Sequence, residues 1–259
     1  KFVLEEFKYD QKLIPIIQGS YADGTAHEGW SDLDMVLVIN KKLNQEDLNE
    51  LFNRIKLIKN KIVTNIQPLQ HHGIFIIDQN SLSIYPESFM PSSAFKGAIS
   101  YKKGNFIINE YLEKDFFLNA LKNRFYYINS ALKTGFYNHH KFNNIPLDIN
   151  NPKNCLYQVY AYINYLLLIP CITYSAIGNS MYKGDVLLES SKWPISKNSI
   201  YFFKLINKFR IDWIKNKFNP SKPNDIIPDF LLSYLNRDFW ISAKNYEKEF
   251  IKFARTGFR

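Results

Sequence analysis

The sequence predicts an α+β protein: an N-terminal α/β unit with a small mixed sheet over residues 1–109, then an all-α helical bundle over 110–259. Two observations carry this. Up to about residue 109, short apolar runs of strand type surround a single helical pattern, and beyond it apolar positions recur at helical spacing. The charge divides at the same place. Residues 1–109 hold 12 Lys and Arg against 12 Asp and Glu, whereas residues 110–259 hold 21 against 12, so the whole net charge of +9 lies in the second part. Such a one-sided excess either favours an anionic partner or reflects an ordinary Lys-rich solvated surface.

Taken in order, "LIPIIQGS" (13–20) is a short apolar strand ended by a turn, and "DMVLVI" (34–39) is a second, rich in β-branched residues. Leu48, Leu51, Phe52, Ile55, Ile58 and Ile62 form one face of a helix that Asn44 caps, with Glu46 and Asp47 in its first turn. "GIFII" (73–77) is a third strand, and further short strands are expected around 83–85 and 97–108. Phe117, Leu121, Phe125, Ile128 and Leu132 then share a helical face, and Gly135 stops that helix. A polar loop covers 136–153. Long helices follow near 154–177, 198–218 and 228–256, with "NPSKPND" (219–225) as a hinge.

The chain has 259 residues, of which 46% are hydrophobic and 16% aromatic, which excludes a disordered protein. Its two cysteines, Cys155 and Cys171, make neither a disulfide framework nor a Cys-rich metal site, and read as buried thiols in a reducing compartment. Glu5, Glu6 and Asp10 are unlike a secretory leader, so a cytoplasmic protein is expected. Residues 156–177 run for 22 residues without a charge, long enough to span a bilayer. Gln158, Asn164, Pro170 and several tyrosines within them favour a buried bundle helix instead, with no membrane partner.

The stretch "GSYADGTAHEGWSDLDMVLVI" (19–39) carries the chemistry. Residues two apart in a strand share a face, so Asp32 and Asp34 project together while Leu33 and Met35 enter a core. Like charges that close repel unless a cation lies between them. Mg²⁺ takes one or two carboxylates plus substrate phosphates as ligands, so the pair suits a metal held against phosphate. Gly19 lets a phosphate approach the backbone, and backbone N–H groups with the Ser20 hydroxyl suit its oxygens. The intervening turn, with Asp23-Gly24 and Gly29, would bring Gly19-Ser20 back beside the aspartates. Either residue pair alone is a weak signal. Joined as strand, Gly-Ser, eleven residues and D-h-D-h-h-h-h, they are specific.

This pattern resembles the nucleotidyltransferase superfamily that includes DNA polymerase β. The resemblance implies that Gly19-Ser20 and the strand aspartates Asp32 and Asp34 bind Mg²⁺ and a nucleoside triphosphate. A second segment, "ITYSAIGNSMYKGDVLLES" (172–190), looks like a helix of aminoglycoside adenylyltransferases, as does the opening motif with Asp23-Gly24 and Ser31. There an apolar run with a tyrosine near its end closes on a glycine, and a lysine follows that reaches the nucleotide's phosphates. The matching position is Lys183, whose alternative reading is a lysine on a solvated turn. The two segments cover some 40 residues.

The sequence departs from that family at the third carboxylate, expected at the start of the neighbouring strand. In "QHHGIFIID" that place falls on His71 or His72. Neutral histidine can accept an acceptor hydroxyl's proton near pH 7, but Mg²⁺ prefers oxygen. Asp78 belongs to the far end of that strand, and Glu87 is a further candidate. His139-His140 read as solvated, His27 lies near any bound phosphate, and Trp30 reads as packing. The aromatics of 201–218 are either nucleic-acid stackers or, by their helical spacing, a bundle face. The leading expectation is a Mg²⁺-dependent enzyme moving a nucleoside monophosphate, AMP from ATP, onto a hydroxyl acceptor with release of pyrophosphate. The acceptor is a small molecule, RNA or protein. Alternatives are an RNA- or protein-modifying nucleotidyltransferase of toxin–antitoxin type, or a nucleotide-binding protein without turnover.

Overall fold

A computed structural model describes residues 2–65, 68–70, 73–84, 92–95, 97–100, 114–139, 145–179 and 181–257. His71, His72, Glu87, His140 and the expected strand residues 101–108 lie outside the described residues. The fold is α+β, in two units, Lys1–Tyr111 and Leu112–Arg259.

In the first unit, α1 (Phe2–Glu6) precedes β1 (Leu13–Gln18), a single helical turn α2 (Ser20–Asp23), β2 (Asp34–Ile39), α3 (Gln45–Asn65) and β3 (Phe75–Asp78). Central β2 pairs antiparallel with β1, Gln18 opposite Asp34, and parallel with β3, Val36 opposite Phe75. The sheet is therefore small and mixed. Both of its faces are covered, which is why β1 and β2 read as near-continuous apolar runs. Leu33, Met35 and Leu37 pack with Val3, Leu4, Phe7 and with Leu51, Ile58 and Ile62 of α3. Val36 and Val38 pack on the other side with Ile14, Ile16, Ile77 and Leu82. By the alternation along β2, Asp34 belongs to this second face.

Asn44 caps α3 reciprocally. Its Oδ1 accepts from the Asp47 N–H at 2.8 Å, and the Asp47 carboxylate accepts from the Asn44 N–H at 3.0 Å. Phe52 departs from the expected face and is 58% exposed. It lies one residue past Leu51, a rotation of about 100° that turns it off the stripe. Residues 79–84 form a 3₁₀ turn and not a strand. Of the other expected strand, Ile99 makes a single antiparallel bridge to Ile17.

In the second unit, α4 (Lys114–Thr134) ends at Gly135, whose φ of +84° closes the helix with an N–H bond to the Ala131 carbonyl at 2.8 Å. The stretch expected as one polar loop contains a short antiparallel ladder, β4 (Phe136–Tyr137) with β5 (Leu147–Asp148). His139, expected to be solvated, is half-buried, its ring 5.3 Å from that of Tyr127 and 6.2 Å from that of Tyr137. Then come α5 (Leu156–Ala176), α6 (Lys183–Glu189), α7 (Lys197–Lys215), α8 (Asp229–Leu232) and α9 (Arg237–Thr256).

Helix α5 is long and apolar enough to cross a membrane, yet 89% of its most apolar window is buried, with α4, α7 and α9 packed around it. Burial there pushes the Cys171 thiol up to about 12, while Cys155, just ahead of the helix, is only half-buried. Phe202, Phe203, Ile206, Phe209 and Trp213 of α7 are core residues, which accounts for their helical spacing. The expected helix 228–256 is broken in two. Asn236 Oδ1 accepts from the Phe239 N–H at 2.9 Å and starts α9 afresh after the short α8.

Candidate active site

The connection from β1 to β2 is folded throughout. Gly19 leaves β1 with φ +67° and ψ −151°, a conformation that side-chain-bearing residues rarely adopt. Its N–H donates to the Ala94 carbonyl at 3.0 Å, and its own carbonyl accepts from Ala22 and Asp23 to begin α2 at Ser20. Gly24, left-handed at φ 78°, ends that turn. The Asp23 carboxylate then accepts from the Thr25 N–H at 2.9 Å.

Residues 27–31 form the returning turn. The His27 carbonyl accepts from the Ser31 N–H at 2.8 Å, and Ser31 Oγ accepts from the His27 N–H at 2.9 Å. Trp30, 3% exposed, anchors this turn by packing, and His27 is exposed.

The antiparallel return sets Gly19 against Asp34. A Cβ on Gly19 would stand 2.4 Å from Asp34 Oδ2, so the carboxylate occupies the space a side chain would fill. Asp34 is 5% exposed, and Asp32, just ahead of the strand, is half-buried. Asp32 Oδ2 and Asp34 Oδ1 are both shielded from solvent. Tyr21, half-buried on α2, has its hydroxyl raised above its ordinary value first by burial, then by the nearby carboxylates of Asp32 and Glu28.

Two further pieces were not evident from local sequence. Residues 92–95 and 97–100 run beside the Gly-Ser turn: Ala94 takes the Gly19 N–H, and a Cβ on Gly97 would touch the Ala22 carbonyl at 3.5 Å. Gln70, 8% exposed, holds Leu33 from the β3 side, accepting from its N–H at 2.9 Å and donating to its carbonyl at 3.2 Å. Both depend on pairings between residues far apart in sequence.

The pair fits a hard divalent cation. Its donors are carboxylate oxygens, the ligand type such ions prefer. Two carboxylates leave coordination positions for water and phosphate oxygens, which is how Mg²⁺ is usually held. Asp78 lies opposite Ile39, at the end of the sheet away from Asp34, and its carboxylate accepts from the Asn80 N–H at 2.8 Å. Lys183, in the second unit, is the first residue of α6 and half-buried, with Nζ 5.8 Å from the centre of the Tyr182 ring.

Residues 1–74 match the family model for the nucleotidyltransferase domain. The match contains Gly19, Ser20, Asp32, Asp34 and Gln70, and supports nucleotidyl transfer in general as the chemistry of the first unit. No curated protein matches the chain.

Proposed function

We propose that this chain is a Mg²⁺-dependent nucleotidyltransferase that transfers AMP from ATP to a hydroxyl acceptor, in the manner of the aminoglycoside adenylyltransferases it resembles. The observation that carries the reading is Gly19 packed against Asp34 Oδ2 inside the nucleotidyltransferase-domain match. It joins the proposed phosphate-binding turn to the proposed metal-binding strand. Asp32 and Asp34 hold the metal. When bound, Mg²⁺ neutralises phosphate charge and aligns the acceptor hydroxyl for in-line displacement. The Gly19 N–H is committed to Ala94, so of the Gly-Ser pair Ser20 supplies the hydrogen-bond donors toward phosphate.

The acceptor oxygen bonds to the α-phosphorus, the bond to the bridging oxygen breaks, and pyrophosphate departs. The acceptor's proton passes to a base for which His71 and His72 are the candidates. Lys183 is the proposed counter-charge for the departing pyrophosphate.

A second reading, nucleotide binding without turnover, is favoured by one observation. The position expected to carry a third carboxylate holds histidine. One assay separates the two: pyrophosphate release from each of the four ribonucleotides with Mg²⁺, with aminoglycosides, tRNA and the protein itself as acceptors. Turnover with one acceptor class that falls about 10²-fold or more in Asp32→Asn and Asp34→Asn supports the transferase. Mg²⁺-dependent ATP binding without pyrophosphate release in any arm supports the silent binder. Absence of binding refutes both.

A further inference from the structure

We propose that Gln70 is a positioning residue for the carboxylate pair, an inference that rests on the reading of Asp32 and Asp34 as metal ligands. Leu33 lies between them. Its side chain is anchored in the core under β2, but its backbone lies just beyond the end of the strand pairing. The last paired residue on the β1 side is Asp34, opposite Gln18, and on the β3 side the pairing among the described residues begins at Val36 with Phe75. Among the described residues Leu33 has no strand partner on its β3 edge.

The Gln70 carboxamide takes that role. It has one acceptor and two donors, and it engages both backbone groups of Leu33, reproducing a rung of a sheet with a side chain. The bonds span 37 residues and are buried, where two such bonds hold a peptide against water and thermal motion. Fixing the Leu33 peptide fixes the dihedrals on either side of it, and those dihedrals aim the Asp32 and Asp34 side chains. Two repelling carboxylates would otherwise rotate apart when no cation is bound. Gln70 thus holds the pair pre-arranged for the cation.

Gln70→Met tests this, because it keeps the length and volume of the side chain while deleting both bonds. Leu69→Ala is the control: Leu69 is fully buried next to Gln70, and its truncation weakens the core while leaving the carboxamide in place. Two measurements are made on each protein: amide hydrogen exchange at Leu33 without metal, and Mn²⁺ affinity from the paramagnetic signal of the free ion. In Gln70→Met, Leu33 exchange should accelerate and Mn²⁺ affinity should fall about 10- to 100-fold, the usual effect of removing a group that orients metal ligands. Leu69→Ala should melt earlier with Mn²⁺ affinity unchanged in the folded protein.

Should Gln70→Met not fold, Gln70→Glu keeps an acceptor for the Leu33 N–H and loses the donor to its carbonyl, so an intermediate loss is expected. Unchanged Leu33 exchange, or a lower melting temperature with Mn²⁺ affinity intact, overturns the positioning role. Gln70-dependent exchange together with no Mn²⁺ binding by the unaltered protein instead overturns the metal reading of Asp32 and Asp34.

Discussion

Gly19→Ala should damage the site by a calculable route. Two effects add. The backbone at φ +67° and ψ −151° lies where an L-residue is strained, worth about 1–3 kcal/mol. The new methyl would also sit 2.4 Å from Asp34 Oδ2, 3.2 Å from its Cγ and 3.3 Å from its Cβ, against the 3.4 Å of ordinary contact. The oxygen must therefore move by about 1 Å, and Asp34 has little room, being 5% exposed on a strand paired on both sides. Overpacking of that kind costs about 1–3 kcal/mol. The expected loss of stability is about 2–6 kcal/mol in all, read by urea unfolding. A double-mutant cycle isolates the contact. In Gly19→Ala/Asp34→Ala the carboxylate is gone, so the steric part disappears while the backbone strain stays. The double variant should then be less destabilised than the sum of the singles by about 1–3 kcal/mol. Additivity within about 0.5 kcal/mol would show that Gly19 and Asp34 do not touch, and the link between turn and strand would fall with it.

Other consequences are independent of that contact. Burial pushes the Glu247 carboxyl up to about 8, against the opposing pulls of the Tyr162 hydroxyl, which donates to Oε1 at 3.1 Å, and of Arg124. A folded acid raised above its unfolded value keeps a proton that the unfolded chain has lost, so stability falls as pH rises from about 4.5 to about 8. At about 1.4 kcal/mol per pH unit the fall reaches on the order of 5 kcal/mol, and Glu247→Gln should flatten it. An equally steep profile in Glu247→Gln, measured by urea melts across that range, would count against a neutral buried carboxyl. Asn236→Ala removes the cap that separates α9 from α8 and should destabilise the second unit by about 1 kcal/mol, while Asn236→Ser restores most of it.

Much of this protein was legible along the chain because the signal was local. The β-branched apolar run "DMVLVI", the helical period of the later segments and the Asn44 cap each depend on residues a few positions apart, and each appears in the fold. So does the antiparallel return that puts Gly19 near Asp34, since Gly24 and Gly29 supply the positive dihedrals such a compact turn needs. Local reading failed where a pattern had two physical readings. Periodicity ran through Asn236, so one helix was expected where a cap starts a second. Phe52 matched the apolar face by composition and missed it by angle. The uncharged run of α5 suits a core or a bilayer equally, and only the packing of α4, α7 and α9 around it decides which sides are covered.

Residue types and their spacing are local facts, and they set the chemistry on offer: two aspartates at the head of an apolar strand behind a Gly-Ser turn. Tertiary structure alone decided how they are held. Gln70 reaches Leu33 across 37 residues, Ala94 takes the Gly19 N–H, and Asp34 fills the space beside a glycine. Such bonds form only after distant segments have been brought together by burial of the apolar faces, and no local pattern encodes which backbone group a given side chain will meet.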